Sequence, residues 1–111
     1  MAGAAANNVY ASSMWTPERN NPEPKNFVEK FKAKYGQEPD NFAACAYVAM
    51  KYVAKAMETT GTTTNTAKIR DAMANIKNFN SATGPLSFNN KGTPDVDLVL
   101  LKIENGQYKA Q

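Results

Sequence analysis

Apolar side chains recur at helical spacing in three successive stretches of the chain, and the first stretch runs from Asn21 to Gly36. Its apolar face is formed by Phe27, Val28, Phe31 and Tyr35. Asn21 can cap this helix, Pro22 suits its first position, and Gly36 suits its end, where the backbone turns left-handed. The pattern therefore predicts a helix with clear signals at both ends.

The second predicted helix, from Asn41 to Thr59, is the longest in the chain. Asp40 or Asn41 can cap it, and Gly61 can end it. One face is apolar and rich in alanine, formed by Phe42, Cys45, Ala46, Ala49, Val53, Ala56 and Met57. A third helix is predicted from Thr66 to Lys77, with Asn65 or Thr66 as its cap. Its apolar side carries Ile69, Ala72, Met73 and Ile76.

Segments that suit β-strands lie on both sides of the three helices. Val9 to Ser12 precedes them, whereas Pro85 to Phe88 and Asp97 to Ile103 follow a predicted loop from Asn78 to Gly84. The pair Asn105-Gly106 predicts a tight hairpin turn that leads into a short return strand. The order of the elements indicates the α/β class, with three helices packed on a few strands.

The first strand raises a question of pairing, because no other strand candidate lies near Val9 to Ser12 in the sequence. Buried backbone groups need hydrogen-bond partners. The apolar run Val99, Leu100 and Leu101 is typical of a strand that is buried on both faces inside a sheet. The chain offers few strands to flank it. We therefore expect the partners of the first strand to lie outside this chain, and the chain to be a piece of a larger α/β protein.

Composition agrees with an ordinary globular domain of 111 residues, of which 42% are hydrophobic and 21% are charged. The net charge is +3, and basic and acidic residues are mixed along the chain. Lys30, Lys32 and Lys34 form a local basic cluster, which either complements a helix C-terminus or marks a nucleic-acid contact. Aromatic residues do not interleave with a basic stripe, so we expect no nucleic-acid partner. The first residues lack the charged and apolar parts of a signal peptide.

The sequence contains few residues that could act in catalysis. The chain has no histidine, which removes Ser-His-Asp chemistry and makes a zinc site implausible. Cys45 is either a buried, inert thiol or a nucleophile near a helix N-terminus. Asn89, Asn90, Asp95 and Asp97 suit either a turn or a calcium site of unusual spacing. Asp95 and Asp97 are either a carboxylate pair for acid–base work or, as favoured here, part of an exposed strand edge. We expect no catalytic residues, no metal and no cofactor, so a small α/β enzyme is the least favoured class.

Three aromatic residues are the candidates for ligand contact. Trp15 lies in a polar, proline-rich connection, where it either plugs a groove between strand and helices or lines a ligand cleft. Phe42, at the start of the long helix, is either ordinary core or a ligand contact. Tyr47 lies off the apolar stripe, which favours a position at a rim or an interface.

Several motifs follow one another in a characteristic order. "VYASSMW" is followed by "FVEKFKAKYGQEP", by "AYVA" in the alanine-rich helix, and then by "GPLSFNNKG" and "NGQY". In this order and spacing they resemble the C-terminal part of the type I periplasmic binding proteins, above all the branched-chain amino-acid binding proteins of ABC transporters. The resemblance covers essentially the whole chain.

The resemblance implies a two-lobed protein with a ligand cleft between the lobes. Residues 1–13 are then a strand of the second lobe that leads to the hinge, residues 14–96 are first-lobe helices and a short strand, and residues 97–111 are a hinge-crossing strand and a hairpin. In this family an aromatic residue at the start of the long helix contacts the ligand's side chain, and Phe42 matches that position. Trp15 and Tyr47 are weaker candidates.

The implied function is capture of amino acids or similar small carboxylates for an ABC importer, outside the cytoplasm, with the membrane permease as partner. The alternative is a sensory or regulatory ligand-binding domain of the same fold. The residues that grip the ligand's amino and carboxylate groups in this family come mainly from earlier in the chain. We therefore expect this chain alone to bind ligand weakly or not at all, and to self-associate through exposed strand edges.

Overall fold

The computed structural model describes residues 3–19 and 22–111. After a 3₁₀ turn at Gly3–Ala6, the first strand and the three helices are β1 (Tyr10–Ser13), α1 (Pro22–Tyr35), α2 (Asn41–Thr60) and α3 (Thr66–Asn75). The remaining strands are β2 (Phe79–Ser81), β3 (Gly84–Phe88), β4 (Pro94–Asp95), β5 (Val99–Glu104) and β6 (Gln107–Ala110). The expected α/β fragment with three helices is confirmed.

The helix boundaries follow the capping signals. The Asp40 side chain accepts a hydrogen bond from the Ala43 N–H at 2.7 Å, and Asn65 accepts one from Lys68 at 3.0 Å. Gly61 ends α2 in the left-handed conformation with φ at 64°. The predicted cap Asn21 lies outside the described residues. Helix α3 ends at Asn75, two residues before the predicted Lys77, because the backbone is already extended at Ile76.

The first sheet has the order β1-β5-β6, with all pairs antiparallel. The expectation that β1 has its partners outside the chain was wrong, because Ala11 pairs with Leu101 and Ser13 pairs with Val99. Strand β5 does lie inside the sheet, but Leu100 is half exposed and only Leu101 is buried among its residues. Burial on both faces is therefore not found in this chain. Strand pairing between segments so far apart in the chain produces no local sequence pattern that could predict it.

The predicted hairpin between β5 and β6 is confirmed. Asn105 and Gly106 have φ values of 52° and 77°, which are the two positive values that a type I′ turn requires. Ile103 then pairs with Tyr108, and Lys102 pairs with Lys109. The turn sets the register of the return strand by itself.

The second sheet has the order β2-β3-β4 and is also antiparallel. The predicted loop from Asn78 to Gly84 was wrong in part, since Phe79–Ser81 forms β2 and pairs with β3. Strand β4, at Pro94–Asp95, is an additional short strand that the sequence did not indicate. Both strands are too short to show an alternation of apolar and polar residues, so only their pairing defines them.

The core lies between the helices and the second sheet. Its buried members include Trp15, Phe27, Val48, Tyr52 and Leu86. On α2 the buried face is Ala44, Val48, Tyr52 and Ala56. The predicted apolar face was therefore wrong for three of its seven residues, because Phe42, Ala46 and Ala49 are exposed. The buried face includes Tyr52, which the predicted apolar face left out.

Candidate functional site

A cleft of about 770 Å³ opens between the first sheet and the adjoining ends of α1 and α2. Strand β1, the connection from Trp15 to Glu18, and the first turn of α2 line it. Strand β6 closes one side, and Leu101 of β5 contributes an apolar surface. This volume falls within the range of about 300–1,000 Å³ that small-molecule sites occupy. The cleft is therefore large enough for a small ligand.

Phe42 lines this cleft from the first turn of α2. Its side chain is 81% exposed, so it is not part of the core of this chain. The buried Pro39 and the capping residue Asp40 come directly before it and set where the helix begins. Burial of an exposed phenylalanine is favourable, so Phe42 offers the cleft an apolar surface on which a ligand could pack.

Trp15 lines the same cleft but is only 5% exposed. Its ring meets the ring of Phe27 edge to face, with the two centroids 5.9 Å apart. Trp15 thus plugs the groove between strand and helices and at the same time borders the cleft. Its buried indole N–H has no hydrogen-bond partner among the residues that the structure describes.

Tyr47 lies away from this cleft. Its ring packs on Phe27 with 4.7 Å between the centroids, and the Lys51 ammonium group lies 5.5 Å from the centre of the tyrosine ring. The side chain is half-buried, at the rim of the core. The structure therefore brings Phe42 and Trp15 together and leaves Tyr47 apart from them.

The charged side chains around the cleft have partners within the chain. Lys32 forms an ion pair with Glu38, and Lys109 lies 3.5 Å from Glu18. Glu18 also accepts a hydrogen bond of 3.0 Å from the Ala110 N–H. Asp40 is engaged as the cap of α2. This wall of the cleft thus offers apolar surface and engaged charges, which suits the less polar end of a ligand.

Two polar residues that line the cleft were not among the predicted ligand contacts. Ser13 of β1 and Asn41 of α2 both line it, and the Ser13 hydroxyl lies 3.1 Å from the Asn41 side-chain oxygen. The Cys45 sulfur, one helical turn beyond Asn41, lies 4.0 Å from the same oxygen. The spacing of Asn41 and Cys45 on one helix was visible in the sequence. The approach of Ser13 depends on tertiary structure and had no local signal.

The structure favours the non-catalytic alternative for Cys45 and the turn for the segment around Asn89. Burial raises the pKa of the Cys45 thiol, which favours an inert, protonated thiol over a nucleophile. The Asn89 side chain accepts hydrogen bonds from the N–H groups of Lys91 and Thr93, as a turn residue does. Across residues 3–19 and 22–111, the side chains of acidic residues and cysteine form no group of three that could hold a metal ion.

The sequence pattern of the periplasmic binding protein family matches residues 1–107, and the chain belongs to this family. Membership confirms the expectation of a binding protein rather than an enzyme. No helix in the described part of the chain is both long and apolar enough to cross a membrane.

Solved structures of transport proteins share the fold. An ABC transporter substrate-binding protein from Desulfitobacterium hafniense, in complex with Leu, is 27% identical, with a TM-score of 0.90 over 96% of this chain and 32% of that chain. The branched-chain amino acid transporter protein LivJ from Streptococcus pneumoniae, in complex with isoleucine, is 30% identical, with a TM-score of 0.84 over 95% of this chain and 30% of that chain.

A third structure, the solute-binding protein of an ABC transporter from Rhodopseudomonas palustris, was solved with 3,4-dihydroxybenzoic acid. It is 26% identical, with a TM-score of 0.82 over 96% of this chain and 30% of that chain. The present chain thus spans about a third of the length of the proteins it matches.

Proposed function

We propose that this chain forms part of an extracytoplasmic solute-binding protein that captures amino acids or related small carboxylates for an ABC importer. The observation that carries the proposal is Phe42, 81% exposed at a cleft of about 770 Å³. The relatives described above were solved with leucine, isoleucine and a dihydroxybenzoic acid, which share a carboxylate and a largely apolar remainder. All three are described as transport proteins, which favours the importer over a regulatory domain.

In this proposal the chain contributes one side of a cleft between two lobes. Residues 1–13 belong to the second lobe, residues 14–96 to the first, and residues 97–111 to the hinge and its hairpin. The division is supported by the two separate sheets, β1-β5-β6 and β2-β3-β4. Ligand binding then closes the lobes by a hinge motion, and the closed form engages the permease.

Phe42 packs on the side chain of the ligand, and Trp15 forms the floor beneath it. Support comes from their shared position in the cleft and from the opposite exposure of the two rings. Tyr47 lacks this support, since it does not line the cleft. The carboxylate and amino groups of the ligand bind residues outside this chain, because the charges on this wall are engaged with one another.

The test is isothermal titration of the complete binding protein with a panel of amino acids and small aromatic carboxylates. Phe42→Ala should weaken the binding of the preferred ligand by at least about tenfold, as expected for a buried aromatic contact. Tyr35→Ala is the matched control, since Tyr35 is an exposed aromatic residue away from the cleft and should leave affinity unchanged. A protein that binds none of the panel, or a Phe42→Ala variant of full affinity, would contradict the proposal.

A further inference from the structure

A second cavity, of about 590 Å³, opens between α3 and the turn that joins β3 to β4. It shares no lining residue with the candidate ligand cleft. Met73 and Phe88 give it apolar surface. Arg70 and Lys77 are the only charged residues of its lining in the described part of the chain, and both are cations. We call this cavity the basic groove.

The net charge of the chain is concentrated in the segment that forms the basic groove. Residues 59–94 contain one acidic residue, Asp71, and four basic residues, which are Lys68, Arg70, Lys77 and Lys91. The rest of the chain contains nine basic and nine acidic residues, so this segment accounts for the whole net charge of +3. A local excess of positive charge attracts acidic partners.

Lys77 is held at the groove by its own hydrogen bonds. Its ammonium group donates to the Phe88 carbonyl oxygen at 2.7 Å and to the Ala74 carbonyl oxygen at 3.2 Å. An ammonium group has three N–H donors, so one remains for an acceptor outside the chain. The position of this charge is therefore fixed before a partner arrives, which lowers the entropic cost of binding.

Arg70 has an acidic neighbour that it can exchange. Its guanidinium group donates to one carboxylate oxygen of Asp71, from Nε at 2.9 Å and from Nη2 at 2.6 Å. The two side chains are 76% and 64% exposed. Because an ion pair this exposed contributes little free energy, a carboxylate from a partner can join or replace Asp71 at small cost.

The shape and charge of the groove together favour a protein segment as the occupant. A flat membrane surface cannot enter a groove, whereas a protein segment can place an apolar side chain on Met73 and Phe88. The remainder of the first lobe is a poor occupant, because burial of Arg70 and Lys77 costs free energy unless acidic groups match them. The proposed function already supplies a protein partner, the membrane permease.

We propose that the basic groove docks an acidic segment of the importer's membrane permease, with an apolar side chain against Met73 and Phe88 and a carboxylate against Lys77 and Arg70. The inference rests on the function proposed above and assigns a surface to its protein partner. Because attraction between opposite charges speeds encounter and is screened by salt, docking is strongest at low ionic strength. The groove and the ligand cleft share no residue, so docking and ligand binding are measured separately.

The test measures binding of the complete binding protein to its importer in lipid nanodiscs, by surface plasmon resonance at about 50 mM and about 300 mM salt. Arg70→Glu should raise the dissociation constant about three- to tenfold at the lower salt concentration and less at the higher one. Met73→Ala should weaken binding by a similar factor at both, because contact between apolar groups is not screened. Ligand affinity should not change in either variant.

Lys30→Glu is the matched control, since Lys30 is an exposed lysine of α1 that lines neither cavity. It should leave binding to the importer unchanged. Equal losses from Arg70→Glu and Lys30→Glu would show an effect of net charge alone and would overturn the inference. If Met73→Ala does not fold, Arg70→Glu still decides the question, because Arg70 is exposed and packs on no core residue.

The remaining outcomes separate this inference from a membrane partner and from the function on which it rests. Equally tight binding to phosphatidylglycerol vesicles that lack the importer, lost in Arg70→Glu, would overturn the permease as the occupant. If ligand binds and Phe42→Ala weakens it, but Arg70→Glu binds the importer as the native protein does, the inference fails and the proposed function stands. If the complete protein binds neither ligand nor importer, both fail.

Discussion

The hydroxyl of Tyr52 lies 2.8 Å from the carbonyl oxygen of Met73, near the end of α3. It also lies 3.2 Å from the carbonyl oxygen of Ile76, just beyond that helix. Carbonyl groups in the last turn of a helix lack intrahelical partners. Tyr52 is only 2% exposed, so its hydroxyl serves these oxygen atoms where water has little access. One side chain of α2 thus caps a neighbouring helix from within the core.

Replacing Tyr52 tests how much this contact contributes to the free energy of unfolding. Tyr52→Phe keeps the ring and its edge-to-face packing on Phe79 but removes the one hydroxyl donor that the two carbonyl oxygen atoms share. We expect the free energy of unfolding to fall by about 1–2 kcal/mol. Urea denaturation of the chain measures it. Tyr35→Phe, at an exposed position, is the control and should change stability little; equal losses in both variants would contradict the cap.

The same residue predicts a dependence of stability on alkaline pH. Burial raises the pKa of Tyr52 above its ordinary value of 10.0. The folded chain therefore keeps this proton at a pH where the unfolded chain has begun to lose it, and stability falls as the pH rises above about 10. Denaturation curves between about pH 8 and about pH 11 measure the fall. The difference between the native chain and Tyr52→Phe should shrink across this range, and a constant difference would argue against the shift.

A side chain at Gly84 should lower stability, chiefly because the backbone there has a positive φ. Its φ is +98°, and a Cβ atom there would lie 2.7 Å from the Arg19 guanidinium nitrogen Nη1. We expect Gly84→Ala to lower the free energy of unfolding by about 2–3 kcal/mol, from backbone strain and displacement of Arg19. Gly92→Ala is the control, because φ is +75° there but a Cβ meets open space. It should lose about 1 kcal/mol, the cost of strain alone.

The steric part of the Gly84 effect can be isolated by a second substitution. Arg19 also donates a hydrogen bond to the Asp97 carbonyl oxygen, so Arg19→Ala carries a cost of its own. In the double variant the loss from Gly84→Ala should shrink toward that of Gly92→Ala, because the obstructing side chain is gone. Strictly additive losses would show that Arg19 does not limit the space at Gly84.

Self-association is the expected behaviour of the isolated chain. Tyr10 and Leu100 lie on the same face of the first sheet, since their partners in the register are Lys102 and Ser12, and both are exposed. Strands β1 and β6 also leave open edges. Sedimentation velocity should show dimers that increase with concentration and that Leu100→Lys reduces. Met50→Lys, at an exposed position on α2, is the control; a chain that stays monomeric at every concentration would rule this out.

Of the three aromatic residues that the sequence offers as ligand contacts, Phe42 and Trp15 line the cleft and Tyr47 does not. Their contact with a ligand stays a prediction. Periodicity placed Phe42 on the buried face of α2, yet the structure exposes it, because the face of α2 that is buried carries Ala44, Val48, Tyr52 and Ala56. The position of Phe42 at the start of the long helix left core and ligand contact open, and the family resemblance favoured the contact. Asn41 was considered only as a cap, since its contact with Ser13 needs both elements in place.

The features that could be predicted from sequence are those in which the interacting residues lie within a few positions of each other in the chain. Asp40 and Asn65 cap their helices, Gly61 ends one, and Asn105-Gly106 turns the hairpin, because each depends only on its immediate neighbours. Tertiary structure decided which face of α2 is buried, which strand pairs with β1, and which side chains share the cleft. These depend on contacts between segments far apart in the chain, for which hydrophobic periodicity carries no information about partner or register.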